Sequence, residues 1–467
     1  MKKKKMRSAT IDIGYNAIRA TVYEDNTLGA PEIFSSKFKS DLIGLLANQS
    51  IDMKHQTYLS IQYLLHVFKR LNVTDIKCVA TAVLRDHEKA EQFIQHIRDK
   101  YNFDIEVISG EKEANLTAFG LVKGIRNCKG IAADLGGGSL ELAEVGDGKI
   151  SKLCSLALGT KILSMRNLAD ENEIIDIIKE QYSSSEQESL YLIGGSLRFI
   201  GKSYMNSAFH YVKNLHNFEI EAGSFFEYLN AVQTSDGEIS KLSSRRINNN
   251  AVLILKALIH LFNPKKIIVS TYGLKEGVRI DSMDEEEKQK DLILEKVKYL
   301  CTYDTDATDF DSYYKIISPL FSAGVDLNEI LKLAIMLLSM ESQFDSTLPP
   351  TALSDSILSS EIPFAYKMRV MLAMIIAYST NHKPSVNLIK FSKKTLTQEE
   401  HNNAQIIGYF LYITKEIDGP IFMTPSFDIK SCNYFLEIDT HEILPRAIFE
   451  KVCMKLKSIA FARRTGY

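Results

Sequence analysis

Two carboxylates enclose three consecutive glycines in the stretch DLGGGSLE, residues 134–141. Apolar runs flank this stretch on both sides, which is typical of two strands joined by a tight turn. Glycine permits positive φ and close approach, so a turn of this kind exposes amide groups in a concave nest that binds phosphate oxygens. Asp134, at the end of the first strand, can hold a hydrated Mg²⁺ beside that phosphate. The residue types therefore indicate phosphate chemistry.

The N-terminus carries a second copy of this element in SATIDIGYNAIRATVYE, residues 8–24. When Asp12 is aligned with Asp134, Gly14 falls on Gly136 and Arg19 falls on Glu141. A spacing of about 120 residues is too long for a solenoid repeat and suits two related halves of one enzyme. A single turn of this type is most simply a tight hairpin. Two copies at matching positions predict two loops that grip one phosphoryl group across a cleft.

The sequence contains two further predicted strand–glycine turns and a candidate arginine. LYLIGGSLRFIG, residues 190–201, and KKIIVSTYGLKEGVR, residues 265–279, each predict a strand followed by a glycine turn. Arg85 precedes a helical stretch, where it could be an ion-pair partner of Asp86 or Glu88.

Glu113 and Glu141 each allow a structural and a chemical interpretation. The stretch SGEKEANLTAFG predicts a helix beginning near Glu111, so Glu113 could simply be a first-turn acid favoured by the helix dipole. On an alternating strand, Glu141 shares a face with Ser139, and it could be an ordinary exposed strand acid. The alternative for both residues is a place in the cleft.

Composition limits the class of protein. A length of 467 residues suggests two to four domains, and a formal net charge of −2 provides no general field for DNA or anionic lipid. We read the basic run at the N-terminus as a solvated terminus, because no apolar signal segment follows it. The six cysteines are scattered and no apolar run is long enough to span a membrane. We therefore expect a cytoplasmic α/β protein that binds neither DNA nor membranes.

Seven stretches in order resemble the exopolyphosphatase / guanosine pentaphosphate phosphohydrolase family of the actin–Hsp70–sugar kinase superfamily. They are IDIGYNAIR, VATAVLRD, VISGEKEANLTAFG, ADLGGGSLEL, LALGT, LIGGS and VSTYGLKEGV, and they cover roughly the first 280 residues. The resemblance implies an RNase H-like domain at 1–124, a second at 125–283, and a catalytic cleft between them. It also implies Mg²⁺-dependent removal of a terminal phosphate from inorganic polyphosphate or pppGpp.

The resemblance also implies roles for individual residues. Glu113 would act as general base on the attacking water, with Glu141 beside the water or the metal, and Asp12 and Asp134 on the metal side. The residues that would bind phosphate are Gly14, Asn16, Arg19, Arg85, Gly136, Gly137, Gly138, Ser139, Gly194, Gly195, Ser196 and Lys275.

The chain departs from the family pattern at two places. Tyr15 and Ala17 stand where the family usually has serines, and Lys275 stands where it usually has arginine. Catalysis is still expected, since Glu113 is present. These departures motivate an alternative, a sensor that binds (p)ppGpp or polyphosphate without hydrolysis. A third possibility is an ATP-dependent kinase of the same superfamily, against which SGEKEA argues.

The last third of the chain predicts a separate helical domain. The acidic stretch 281–292 favours a linker, and helical patterns dominate 290–467. Long family members carry an HD-like domain here, but the sequence contains no His-Asp dipeptide. We therefore expect an all-α HD-like domain without the HD metal site, which lengthens a polyanion groove or mediates dimerisation. A homodimer is the expected assembly.

Overall fold

A computed structural model describes residues 6–47, 55–183, 187–208, 210–234, 247–301, 308–321, 326–343, 349, 351–380, 383–418, 427–432, 435–440 and 444–464. The basic run at the N-terminus, expected to be a solvated terminus, lies outside these residues. The contacts separate two compact units. The first unit comprises Met1–His210 with Leu215–Leu292, and the second comprises Tyr211–Asn214 with Ile293–Tyr467.

Among the described ranges, the first eleven strands in chain order lie in the first unit and the last two in the second. The strands are β1 (Arg7–Ile13), β2 (Ala17–Tyr23), β3 (Glu32–Lys39), β4 (Val73–Ala80), β5 (Glu106–Val107), β6 (Gly130–Leu135), β7 (Leu140–Gly146), β8 (Lys149–Leu156), β9 (Ser189–Ile193), β10 (Phe218–Glu221), β11 (Lys266–Val269), β12 (Phe427–Cys432) and β13 (Phe435–Thr440).

The helices of the described ranges occur in both units. They are α1 (Leu42–Ala47), α2 (Gln56–Arg70), α3 (Ala82–Arg85), α4 (Ala90–Tyr101), α5 (Gly110–Gly124), α6 (Thr160–Arg166), α7 (Glu171–Gln181), α8 (Gly195–Ser207), α9 (Ala222–Thr234), α10 (Asn249–Phe262), α11 (Leu274–Asp281), α12 (Glu285–Gln289), α13 (Leu292–Leu300), α14 (Phe310–Ile317), α15 (Leu327–Leu338), α16 (Ala352–Ser359), α17 (Tyr366–Ser379), α18 (Val386–Thr395), α19 (Gln398–Asp418) and α20 (Arg446–Arg464).

The first unit contains the same sheet topology twice. In the first sheet the order is β3-β2-β1-β4-β5, and in the second it is β10-β11-β9-β6-β7-β8. Each sheet begins with three antiparallel strands, and its first strand then pairs in parallel with a later strand, β4 or β9. The central strands β1 and β6 are buried almost throughout, as strands covered on both faces must be. The duplicated hairpin and the mixed α/β fold expected from the sequence are confirmed.

Two glycines allow α5 and α11 to touch. A Cβ on Gly277 would lie 1.8 Å from the carbonyl oxygen of Leu116, and a Cβ on Gly120 would lie 2.1 Å from that of Gly273. Without side chains at these positions, the two helix backbones pack directly against each other. This contact fixes α5, which carries Glu113, against the segment that follows β11.

The acidic stretch 281–292 is not the linker that its composition favours. It forms α12, and the Glu287 carboxylate accepts a hydrogen bond from the amide of Leu28 at 2.9 Å. Arg126 pairs with Asp291 at 2.7 Å, and Leu292 packs in an apolar cluster with Leu28. Long-range contacts of this kind, which are not visible in local composition, hold the segment on the first unit.

The second unit is mainly helical around one apolar core. Helix α17 is buried on nearly all sides, and its methionines Met371 and Met374 lie in the core, as expected for Met-rich apolar runs. However, β12 and β13 pair as an antiparallel two-stranded sheet, so the expectation of an all-α domain is wrong in this respect. No helix of the described ranges is both long and apolar enough to cross a membrane.

Candidate active site

The glycine loop between β6 and β7 is fixed by its carbonyl groups. The amide of Gly136 donates to the carbonyl of Ser139 at 2.9 Å, which closes the turn. The amides of residues 159–161 in turn donate to the three glycine carbonyls over 2.9–3.2 Å. The stretch LALGT therefore forms the floor of this loop. Among the described residues, no protein acceptor pairs with the amides of Gly137 and Gly138, so these donors are available to a phosphate.

Glu113 and Glu141 lie together beside the glycine loop. Ser109 caps the N-terminus of α5, which places Glu113 in the first helical turn with only 8% of its surface exposed. Nη1 of Arg85 lies 3.1 Å from Oε2 of Glu113. Oγ of Ser155 donates to Oε1 of Glu141 at 2.9 Å. Both glutamates are therefore buried in polar surroundings, and the interpretation of Glu141 as an exposed strand acid is wrong.

Burial and the charge of a neighbouring carboxylate raise the pKa of both glutamates. Burial is the main cause for Glu113, whose pKa is raised well above its ordinary value, and the nearby Glu141 adds to the effect. Burial and the charge of Asp134 raise the pKa of Glu141 to about 8. Arg85 acts in the opposite direction on both groups. The two carboxyls interact, so they titrate as a coupled pair, and a carboxylate whose pKa is raised is a stronger base towards a water molecule.

The first glycine loop lies against the second. Nδ2 of Asn16 would be 2.6 Å from a Cβ on Gly137, and the ring of Tyr15 would be 3.1 Å from a Cβ on Gly138. The loop itself is closed by a hydrogen bond from the amide of Gly14 to the carbonyl of Ala17 at 3.0 Å. The two hairpin turns therefore face each other, as the duplicated sequence pattern predicts.

Asp12 and Asp134 lie near two arginines. Nη1 of Arg19 pairs with Oδ2 of Asp12 at 3.2 Å. Arg198, in the first turns of α8, donates from Nε to the carbonyl of Gly194 at 3.2 Å and from Nη1 to that of Thr271 at 3.1 Å. Burial raises the pKa of Asp12 and of Asp134, and the charges of both arginines oppose this rise.

The third glycine turn, Gly194 and Gly195, lies beside Asp134 and Arg19. Gly194 has φ 83°, and a Cβ there would lie 2.5 Å from Oδ1 of Asp134, so this position requires glycine. A Cβ on Gly195 would lie 3.2 Å from Nη2 of Arg19. Ser196 follows in the first turn of α8 and is half-buried. The turn thus brings the start of α8 beside Asp134, where its amides can meet an anion.

Lys275 has a different environment from the one expected. Its Nζ lies 2.6 Å from Oε1 of Glu32 and 3.1 Å from Oε1 of Glu276. Burial disfavours the ammonium, but Glu276, Tyr23 and Glu32 outweigh burial and raise the pKa of Lys275 well above its ordinary value. None of its hydrogen bonds in the described ranges goes to a glycine loop. Its charge is already neutralised by protein carboxylates.

Three polar residues of the site were missed by sequence reasoning. Arg198 follows the glycine turn that the sequence did reveal, and an arginine four residues after Gly194 is the signal that could have found it. Ser155 lies directly opposite Glu141 in the register of β7 and β8. Thr117, one helical turn after Glu113, donates to Oδ2 of Asp134 at 3.5 Å. Only the strand register and the helix packing reveal the last two.

A cavity of about 450 Å³ adjoins the glycine loop and the glutamate pair. Its lining includes Arg85, Asp86, Glu111, Ser139 and Ser155, together with Gly110 at the start of α5. Arg85 and the positive end of the α5 helix dipole favour an anion, whereas the carboxylates of Asp86 and Glu111 oppose one. The Ser155 hydroxyl already donates to Glu141.

The carboxylates suit a hard divalent cation such as Mg²⁺. In the part of the chain that the structure describes, no group of three or more His, Cys, Asp or Glu side chains is arranged to hold a metal by itself. Mg²⁺ commonly binds through one or two carboxylates together with substrate phosphates. Asp12 and Asp134, two carboxylates whose pKa values are raised by burial and lowered by Arg19 and Arg198, fit that pattern.

The first unit is an α/β fold in which the same sheet topology occurs twice. The glycine turns of its two hairpins face each other. The model of the Ppx/GppA phosphatase family matches residues 27–286, more than half of the chain. The chain belongs to this family.

Known proteins resemble this chain over about half of its length. Retrograde regulation protein 2 of Saccharomyces cerevisiae is 25% identical over 258 residues, which are 47% of this chain and 44% of the yeast protein. The chain therefore spans less than half of that relative. The Aquifex aeolicus PPX-GPPA enzyme matches with a TM-score of 0.50 at 19% identity, over 58% of this chain and 98% of the other. An exopolyphosphatase from Cytophaga hutchinsonii matches with a TM-score of 0.48 at 18% identity, over 58% and 96%.

Proposed function

We propose that this protein hydrolyses the terminal phosphoanhydride bond of inorganic polyphosphate and accepts pppGpp as a second substrate. The observation that carries the proposal is the pair Glu113 and Glu141, buried together beside a glycine loop with available amides. Membership of a phosphatase family supports the reaction class. The exopolyphosphatase from Cytophaga hutchinsonii motivates the choice of polyphosphate.

In the proposed reaction, the amides of Gly137 and Gly138 bind oxygens of the terminal phosphate. Glu113 accepts a proton from a water molecule, and the water oxygen forms a bond to the terminal phosphorus. The bond from that phosphorus to the bridging oxygen breaks, and the bridging oxygen becomes the new chain end. Arg85 orients Glu113 and presents a guanidinium to the phosphate, while Ser155 holds Glu141.

Asp12 and Asp134 are the residues that would hold Mg²⁺ in this scheme. The ion would neutralise charge on the phosphate oxygens, which the protein's own cations do incompletely. Arg19 and Arg198 keep the two carboxylates oriented and supply positive charge on the same side.

A second candidate function is a sensor that binds polyphosphate or (p)ppGpp without hydrolysis. The observation that favours it is the contact of Tyr15 with Gly138, because a bulky ring lies where the family usually has a serine. The yeast relative is named as a regulation protein, which agrees with this alternative.

Phosphate release from the purified protein with Mg²⁺ tests both candidates. Long-chain polyphosphate, pppGpp and ATP are offered in parallel, and binding of each is measured by calorimetry. Release from polyphosphate or pppGpp, but not from ATP, is the expected result. Tight binding of polyphosphate with no release would replace the hydrolase by the sensor, and ATP-dependent phosphorylation of an acceptor would contradict both.

A further inference from the structure

A buried histidine of the first unit makes hydrogen bonds to two separate backbone segments. His216 is 4% exposed and lies in the turn that precedes β10. Its Nε2 lies 3.0 Å from the carbonyl oxygen of Gly124, the last residue of α5. Its Nδ1 accepts a hydrogen bond from the amide of Thr271 at 3.2 Å. The ring therefore connects the end of α5 with the segment that follows β11.

The two partners fix the tautomer of His216. A backbone amide can only donate, so Nδ1 must carry no proton, and Nε2 carries it and donates to the carbonyl of Gly124. The ring of Tyr272 lies against the imidazole, with the two ring centroids 4.8 Å apart. A Cβ on Gly124 would lie 2.5 Å from Cγ of Tyr272, so the aromatic ring fills the space beside this glycine. Packing and hydrogen bonds together determine the orientation of the imidazole.

Thr271 connects His216 with Arg198. The Thr271 carbonyl accepts a hydrogen bond from Nη1 of Arg198 at 3.1 Å, and the Gly194 carbonyl accepts one from Nε at 3.2 Å. A Cβ on Gly194 would lie 2.5 Å from Oδ1 of Asp134, so the residue that Arg198 binds adjoins this carboxylate. Burial raises the pKa of Asp134, and the charge of Arg198 opposes this rise most strongly. The place of Thr271 therefore affects where this guanidinium acts.

We propose that His216 is a positioning residue, which holds Thr271 so that Arg198 presents its charge beside Asp134. It acts through the backbone, because the imidazole anchors Thr271 and the Thr271 carbonyl anchors the guanidinium. The inference rests on the proposed function, since it assigns a support to a cation on the metal side of that reaction. Loss of the hydrogen bond to Thr271 is expected to loosen Arg198, whereas Glu113 keeps its own contact with Arg85.

Three substitutions separate the two hydrogen bonds of the ring. His216→Asn keeps an acceptor oxygen at the place of Nδ1, His216→Gln keeps a donor near the place of Nε2, and His216→Phe keeps a ring without either bond. His401→Phe is the matched control, because His401 is 9% exposed and its Nδ1 lies 3.0 Å from Oγ of Ser392 in the second unit. Each His216 variant is also combined with Arg198→Met in a double-mutant cycle. Thermal unfolding confirms that each variant is folded at the assay temperature.

Two quantities are measured for every variant. The first is kcat/KM for phosphate release from polyphosphate with Mg²⁺. The second is the dissociation constant of polyphosphate in the Glu113→Gln background, which reports on Arg198 with or without turnover.

His216→Phe and His216→Gln are expected to lower kcat/KM by about tenfold and to weaken polyphosphate binding, because a misplaced cation loses much of its effect. His216→Asn should remain within about twofold of the wild type, since it keeps the acceptor for Thr271. In the Arg198→Met background, His216→Phe should cost less than about twofold in both quantities. His401→Phe should match the wild type in both quantities, even if its melting temperature falls.

Equal losses in the three His216 variants, or an undiminished loss from His216→Phe in the Arg198→Met background, would overturn the positioning role. Non-additive effects on polyphosphate binding with no phosphate release would keep this role and remove the hydrolase proposal. A wild type that neither binds polyphosphate nor releases phosphate would overturn both.

Discussion

The two glycine hairpins have the same strand pairing but differ in the charge of the residue that faces their aspartate. In the first hairpin, Asp12 lies directly across the strands from Arg19, and the two form an ion pair at 3.2 Å. In the second, Asp134 lies directly across from Glu141, so two carboxylates occupy the equivalent places. Like charges opposite each other destabilise a strand pair, and here burial together with the charge of Asp134 raises the pKa of Glu141 to about 8.

This difference assigns separate tasks to the two halves. The first hairpin pairs its aspartate with Arg19, whereas the second places Glu141 opposite its aspartate. Two neighbouring carboxyls with perturbed pKa values are a candidate site for acid–base chemistry. The two halves therefore share a similar frame and differ in the charge of the residue opposite the aspartate. The predictions below follow from that assignment, beginning with the largest effect.

Removing the proposed general base, Glu113, should have the largest effect. Glu113→Gln keeps the shape of the side chain and cannot accept a proton, so phosphate release is expected to fall by about 10² to 10⁴-fold with substrate binding largely retained. Glu91→Gln, at an exposed acid in the first turn of α4 and outside the cavity lining, is the matched control and should behave like the wild type. Wild-type turnover by Glu113→Gln would show that the base lies elsewhere.

The floor beneath the second loop should tolerate less steric change than the turn of the first loop. A Cβ on Gly159 would lie 2.3 Å from the backbone of Gly137, whereas a Cβ on Gly14 would lie 3.5 Å from its nearest neighbour. Gly159→Ala is therefore expected to lower the free energy of unfolding by about 1–3 kcal/mol and to impair phosphate release, because the floor must move. Gly14→Ala should remain close to the wild type in thermal unfolding and in activity. Similar losses in both variants would contradict the difference between the loops.

The raised pKa of Glu141 should be visible as a pH dependence of the free energy of unfolding. Because the pKa of Glu141 rises from 4.5 to about 8 on folding, the folded state binds its proton more tightly than the unfolded chain does. The stability this proton contributes is complete below pH 4.5 and is lost as the pH rises towards about 8. Glu141→Gln removes this contribution to the slope, so its melting temperature should gain on the wild type over that range. Parallel curves would show that Glu141 is not perturbed.

Placing a glutamate opposite Asp12, as Glu141 lies opposite Asp134, should have the smallest effect. Arg19→Glu replaces a cross-strand ion pair by two facing carboxylates, and the arginine side chain is 39% exposed. Solvent screening limits the expected loss to about 1 kcal/mol in the free energy of unfolding, measured by urea denaturation at low salt. Arg19→Met, which removes the charge alone, should lose less. The loss should shrink in high salt, and a salt-independent loss would indicate a packing role instead.

Much of this arrangement could be predicted from the sequence because its signals are local. Strand alternation, the glycine turns after β1, β6 and β9, and the capped start of α5 all arise within about ten residues of chain. The comparison of Asp12 with Asp134 needed only a repeated pattern. For that reason the duplicated hairpin, its facing turns and the helix that carries Glu113 were correctly expected.

The tertiary structure alone decided which groups meet across long separations in the chain. Lys275 was expected to face an anion, but packing of α11 places it between Glu32 and Glu276. Arg198 and Ser155 enter the site through helix packing and strand register. Tyr15 finds its partners on α6 about 150 residues away, where its ring covers Gly138. Composition and periodicity describe one segment at a time, whereas the energy of a buried charge or an aromatic ring depends on the neighbours that folding brings to it.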